Sequence, residues 1–184
     1  MLPVDELEIT IPEAEYFNEE TREFISISEQ RLRLKHSLVS ISKWEAKWKI
    51  PFLSKQPKTR EQSLDYIRLM TITQNVNPLV YDFLPDELMT KIQEYIDDPM
   101  TATVIKTQPK PGGQKVITSE VIYSWMVSFR IDKEYEKWHL NRLLTLIEIL
   151  NIENSPKKKM SKNSVYSRND AINAARRAKT HSKG

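Results

Sequence analysis

Three histidines, His36, His139 and His181, are the side chains of this sequence best suited to moving protons near neutral pH, and no cysteine accompanies them. They stand too far apart for a local metal motif, HExxH does not occur, and thiolate ligation or thiol nucleophiles are excluded by composition. His36 falls beside the apolar face of a predicted helix and His139 follows Trp138, positions where a histidine usually serves structure. The carboxylates Asp97 and Asp98 precede Pro99 and read as a solvated helix end rather than half of a metal site. Serines are common, yet no GxSxG sequence supplies the strained elbow of a serine nucleophile. Glycine occurs only as Gly112, Gly113 and Gly184, so neither GxGxxG nor GxxxxGK[ST] is present to cradle a phosphate. The expectation is a protein without catalytic, cofactor-binding or metal-binding residues.

Charge separates the chain into two parts. Residues Ser155 to Gly184 hold Lys157, Lys158, Lys159, Lys162, Arg168, Arg176, Arg177, Lys179 and Lys183 against one acid, Asp170, a net +8. The whole chain carries +3, which leaves −5 for residues 1 to 154. Such an arm suits an acidic partner, nucleic acid, the protein's own acidic body, or simple solvation. Tyr166 is its sole aromatic, so the stacking platform of a single-strand reader is not written there, and weak nonspecific binding is favoured over specific reading.

The elements that would position these groups are predicted to be mainly α: a helical body over residues 1–154 with one or two short β-hairpins, then a basic helical arm over 155–184. At 184 residues the chain supports one ordinary core or two small units. Leu7 to Ile11 alternates with period two, and Arg22 to Ser28 has the β-branched and aromatic content of a second strand, which predicts a hairpin between them. A first helix is expected from about Glu29 to Trp48, capped by Ser28 and ended before Pro51, and a second opens at Lys58 or Thr59. A third follows Pro85 and closes before Pro99. Thr101–Lys106 and Gln114–Thr118 read as a second hairpin around a Pro/Gly loop. Glu120–Phe129 and Lys133–Leu150 are two further helices or one bent one, and Ser164–Lys179 is an alanine-rich helix that has little to bury and should order conditionally. Trp44, Trp48, Trp125, Trp138 and Leu143 are core or partner-contact residues. No stretch approaches the length of a membrane helix, and Asp5, Glu6 and Glu8 replace the basic start of a signal peptide, so an intracellular location is expected.

Two segments carry a family likeness. Trp138-His139-Leu140-Asn141-Arg142-Leu143-Leu144, followed by Pro156-Lys157-Lys158-Lys159-Met160 and by Arg168 through Arg177, resembles the tail assembly chaperones of long-tailed bacteriophages. Leu34 to Leu53, with Trp44-Glu45-Ala46-Lys47-Trp48, is similar to the early helix of such proteins. The resemblance implies a non-enzymatic protein of the host cytoplasm that holds the tape measure protein during virion morphogenesis and is absent from the finished particle. It implies further copies of itself, or a frameshifted long form, as additional partners. It assigns no catalytic residue; hydrophobic helical faces would meet protein, and Lys157, Lys158, Lys159, Arg168, Arg176 and Arg177 would serve the arm's contacts. A structural connector or minor virion protein, and a nucleic-acid-binding regulator, are the alternatives.

Overall fold

The computed structural model describes residues 5–18, 22–105, 116–155 and 162–180. The protein is mainly α with short β-strands, and it divides into two units, Met1–Asn151 and Ile152–Gly184. The division falls three residues before the expected boundary, inside a helix. None of the described helices is long and apolar enough to cross a membrane.

Four strands open the first unit: β1 Leu7–Ile11, β2 Ala14–Asn18, β3 Glu23–Ile27 and β4 Gln30–Leu34. The expected pairing of Leu7–Ile11 with Arg22–Ser28 does not occur. Instead β1 pairs antiparallel with β4, Ile9 opposite Leu32, and β2 pairs with β3, Ala14 opposite Ile27. The two ladders are in phase, so together they make one long hairpin interrupted where Pro12 has no N–H to give. Ile9, Ile11, Leu32 and Leu34 turn one face inward while Arg31 and Arg33 point out.

Strand β4 also corrects the predicted start of the first helix. Leu34, Leu38 and Ile41 keep helical spacing, but Leu32 and Leu34 are claimed by the ladder with β1 and by the chain leaving the second helix. Lys35 N–H donates to the Met70 carbonyl at 2.8 Å, and Ile72 N–H donates to the Arg33 carbonyl at 2.9 Å. Helix α1 therefore spans Leu38–Trp48, and its cap is Ser37 rather than Ser28. Ser37 has extended backbone; its Oγ accepts from Ser40 N–H, and Ser40 Oγ accepts from Ser37 N–H at 3.0 Å. Lys49 ends the helix in the left-handed region, at φ 58°. Replacing Ser37 by Ala leaves donors of the first turn without their acceptor. It is expected to cost about 1 kcal/mol, read as a lower urea midpoint at unchanged m-value.

Helix α2, Arg60–Met70, starts where the sequence places it, with Thr59 and Gln62 forming a reciprocal capping box. A 3-10 turn over Pro78–Phe83 leads to α3, Asp86–Asp97, with Pro85 at its N-cap and acids in its first turn. The second hairpin is absent from the part of it that is described: residues 101–105 and 116–118 form no strand, and Val104 and Val116 are exposed. Its remainder lies outside the described residues. Helix α4 spans Ser119–Ser128, and Arg130, at φ 56°, turns the chain into a 3-10 turn at Lys133–Lys137 before α5, Leu140–Asn154. The core gathers Leu32, Leu38, Trp44, Met70, Ile122 and Leu140, each with no exposed surface, from the hairpin and from α1, α2, α4 and α5.

In the second unit, α6 covers Lys162–Thr180, slightly longer than the expected Ser164–Lys179. Ala171, Ala174 and Ala175 are exposed, as are Tyr166 and Ile172.

Candidate functional site

Polar chemistry concentrates where β4 hands over to α1. His36 sits there, almost fully buried, because Ser37 must cap α1 and the preceding residue is thereby drawn into the interior. The start of α5 meets it: Leu140 N–H donates to the His36 carbonyl at 2.9 Å, and Ser37 bridges to His139. The two imidazoles lie 4.9 Å apart between centroids. His36 Nδ1 is 2.6 Å from Tyr66 Oη, and His36 N–H donates to Tyr95 Oη, which itself donates to the Asp5 carbonyl at 2.8 Å. His139 Nε2 is 3.0 Å from the Tyr95 carbonyl, an acceptor only, so the proton resides on Nε2. His139 Nδ1 is then a buried acceptor without a hydrogen-bond partner.

Burial sets the protonation of this cluster. It pushes His36 down to about 3, with His139 and then Lys58 adding electrostatic opposition. His139 is lowered by burial too, against the opposing pull of its bond to the Tyr95 carbonyl and of Asp98 and Asp5. Tyr66 is raised well above the phenol range and Tyr95 to about 12, both chiefly by burial. At neutral pH the four rings are therefore uncharged, and their hydrogen bonds tie the β4–α1 junction, α2, α3 and the residue before α5 together. Among the described residues no group of three or more His, Asp or Glu side chains is placed to hold a metal ion.

A different surface lies between α4 and α5. Trp125 from α4, Phe129 at its C-cap, Leu144 and Ile147 from α5, and Ile117 line an apolar groove of about 360 Å³, together with the polar Glu148 and Asn151. The broad apolar face predicted for α4 is divided: Ile122 and Met126 enter the core, whereas Trp125 and Phe129 are half-buried in the groove. On α5, Leu143 is likewise core and Leu144 lines the groove.

The other expected contact residues are dispersed. Trp44 has no exposed surface, and its Nε1 donates to the Gln62 carbonyl at 3.0 Å. With Leu143 it belongs to the interior and presents nothing to a partner. Trp48 is half-buried and donates Nε1–H to Asp65 at 2.8 Å, beside the Lys47–Asp65 ion pair. Trp138 packs on the tilted Tyr135 ring, centroids 4.3 Å apart, and lies 4.1 Å from the Arg142 guanidinium. Arg168, Arg176 and Arg177 are exposed on α6, and Lys157, Lys158 and Lys159 lie outside the described residues.

Sequence reading missed three features: the histidine pair, the exposed Phe17 and Phe24 rings packed 5.2 Å apart on β2 and β3, and Glu45. Glu45 is buried on α1 yet accepts from Phe52 N–H at 2.7 Å, Ser119 N–H at 2.7 Å and Ser119 Oγ at 2.6 Å. An acid inside a Trp-Glu-Ala-Lys-Trp helix face was the available signal. Comparison with protein-family models, with curated proteins and with solved structures finds no match to this chain.

Proposed function

We propose that this protein is a non-catalytic tail assembly chaperone of a long-tailed bacteriophage, acting in the host cytoplasm to hold the tape measure protein before the tail is complete. The observation that carries the reading is the α4–α5 groove, where Trp125, Phe129, Leu144 and Ile147 offer a partly open apolar trough. A trough of this kind accepts the apolar face of an amphipathic helix, with anchors at i, i+3, i+4 and i+7. Trp138 to Leu144 and the arm residues quoted above supply the family likeness, and the groove sits on the α5 helix that contains part of that segment. Weak grooves on several copies gain strength along one long client through effective concentration, so no single contact has to be tight.

Truncating Trp125 to Ala removes the largest ring from the groove while sparing the core positions Ile122 and Met126. We expect Trp125→Ala to weaken client binding by about 2 kcal/mol, some thirtyfold, with the far-ultraviolet circular dichroism spectrum retained. The measurement is affinity capture of tape measure protein from infected cells after nuclease treatment, followed by titration of the captured client segment. Recovery of nucleic acid in an arm-dependent, salt-sensitive manner, with no tail protein, would replace this reading by that of a regulator. Detection of the protein in purified particles by mass spectrometry would make it a structural component instead.

A further inference from the structure

Away from the groove, a second cavity of about 310 Å³ opens between α2, α3 and the segment that follows α1. Its walls are of two kinds. Phe52, Ile67, Met89, Ile92 and Ile96 are hydrocarbon, whereas Lys58, Ser54, Ser63 and His36 bring polar groups to the lining. Asp97, Gln93 and Asn141 also line it; Gln93 Nε2 donates to Asp97 at 2.9 Å, and Asn141 Nδ2 donates to the Ile96 and Asp98 carbonyls.

Lys58 is unusual among the cations of this protein. Its ammonium is half-buried, donates to the Phe52 carbonyl at 2.9 Å and stands 4.1 Å over the Phe52 ring. None of the ion pairs among the described residues includes it. Burial lowers its pKa, with no carboxylate acting against that shift. An ammonium has three donors. One is spent on the carbonyl, and an aromatic face is a modest substitute for a counter-ion.

We propose that this cavity binds a small monocarboxylic acid with an apolar body, its carboxylate on the Lys58 ammonium and its hydrocarbon against Ile67, Met89 and Ile92. Charge decides in favour of a monoanion. Among the lining residues Lys58 is the one cation and Asp97 the one carboxylate, and Asp97 is exposed to solvent and takes a hydrogen bond from Gln93, so Lys58 is the charge left for an anion; His36 adds none because it is held neutral, and a phosphate dianion would bring one charge too many into a half-buried site. Size agrees, since the volume equals roughly ten waters at about 30 Å³ each, room for a six- to eight-carbon acid. The apolar wall disfavours short, fully hydrated anions by comparison. This site is independent of the α4–α5 groove, with which it shares no lining residue.

The test is an NMR titration of the full chain with sodium hexanoate, sodium acetate and inorganic phosphate, following the amides of Ser54, Lys58 and Ser63. Hexanoate is expected to give saturable shifts there and to bind about tenfold more tightly than acetate or phosphate, since its chain alone uses the apolar wall. Lys58→Met should weaken hexanoate binding about tenfold or more. Because Lys58 also touches Phe52, a second variant keeps the lysine: Ser63→Asp supplies an internal carboxylate at the cavity wall and should likewise abolish binding. Absence of saturable hexanoate shifts, equal binding by Lys58→Met, or a preference for phosphate would each overturn the proposal.

Discussion

Replacing Glu45 by Ala is expected to destabilise the protein by about 3–5 kcal/mol. The carboxylate sits inside the fold and satisfies three donors from two distant places: the Phe52 N–H after α1, and the Ser119 N–H and Oγ–H at the first turn of α4. Ser119 is the first residue of α4, and the adjoining Thr118 makes no side-chain cap bond. Glu45 thus caps α4 from another helix, where a negative charge meets the positive end of the helix dipole. Removing it strands two buried backbone donors together. Gln is no substitute, because its one carbonyl oxygen can face Phe52 or Ser119 while its NH2 group confronts the other N–H donor. Glu45→Gln should therefore lose about 2–3 kcal/mol, and Ser119→Ala, which keeps the backbone bond, only about 1 kcal/mol. Equilibrium urea unfolding of the three variants separates these values. Equal losses for Glu45→Gln and Ser119→Ala would refute the capping role.

That contact also marks the limit of what the sequence makes legible. Helix α2 could be placed because Thr59, Gln62, Leu64, Ile67 and Met70 carry its start and its inner face within a dozen residues. Helix α3 could be placed for the same reason, from Pro85, Asp86 and Glu87. Strand β4 could not: Leu34 satisfies both the period of a strand and the spacing to Leu38 and Ile41. The choice is made by Ile9 on β1 and by the chain at Thr71 and Ile72. At Thr101–Lys106 and Gln114–Thr118 β-branched residues suggest strands, yet in the described parts of these segments, residues 101–105 and 116–118, no strand forms and Val104 and Val116 stay exposed.

The same distinction separates the candidate residues. Trp44 and Trp125 look alike in sequence, each on an apolar helical face. Trp44 is enclosed because α2 crosses α1 and supplies the Gln62 carbonyl, whereas the α4 face is wider than the core it covers and leaves Trp125 at a groove. Glu45 and Ser119 are 74 residues apart, and His36 meets Tyr95 across 59. Periodicity reports which face a residue occupies. It carries no information on which distant element arrives there, and buried polar partners are set entirely by that arrival.

Acid is expected to loosen the protein through His36 before its carboxylates protonate in bulk. In the unfolded chain His36 has the ordinary value of 6.5, and in the fold it is held at about 3. Between these limits the unfolded state binds a proton that the folded state refuses. Stability is therefore fully present above pH 6.5 and falls as the pH is lowered toward 3. The loss from His36 alone is about 2 kcal/mol by about pH 5 and about 5 kcal/mol at the lower limit. His139, also lowered, adds in the same direction. Lys58 faces His36 as a positive charge, Asp98 and Asp5 oppose the shift of His139 without reversing it, and Tyr66 and Tyr95 hold their protons throughout this range, so no nearby phenolate forms to offset an imidazolium. Two imidazolium rings 4.9 Å apart would moreover repel one another. Urea unfolding at pH 7.5, 6 and 5 measures the slope in a window where carboxylates of ordinary pKa, near 4, have barely begun to titrate. His36→Asn, which retains a side-chain amide toward Tyr66, should flatten that slope while lowering stability at pH 7.5. If the slope of His36→Asn matches the wild type, the acid sensitivity lies elsewhere and the neutral histidine clamp is not what joins β4 to α5.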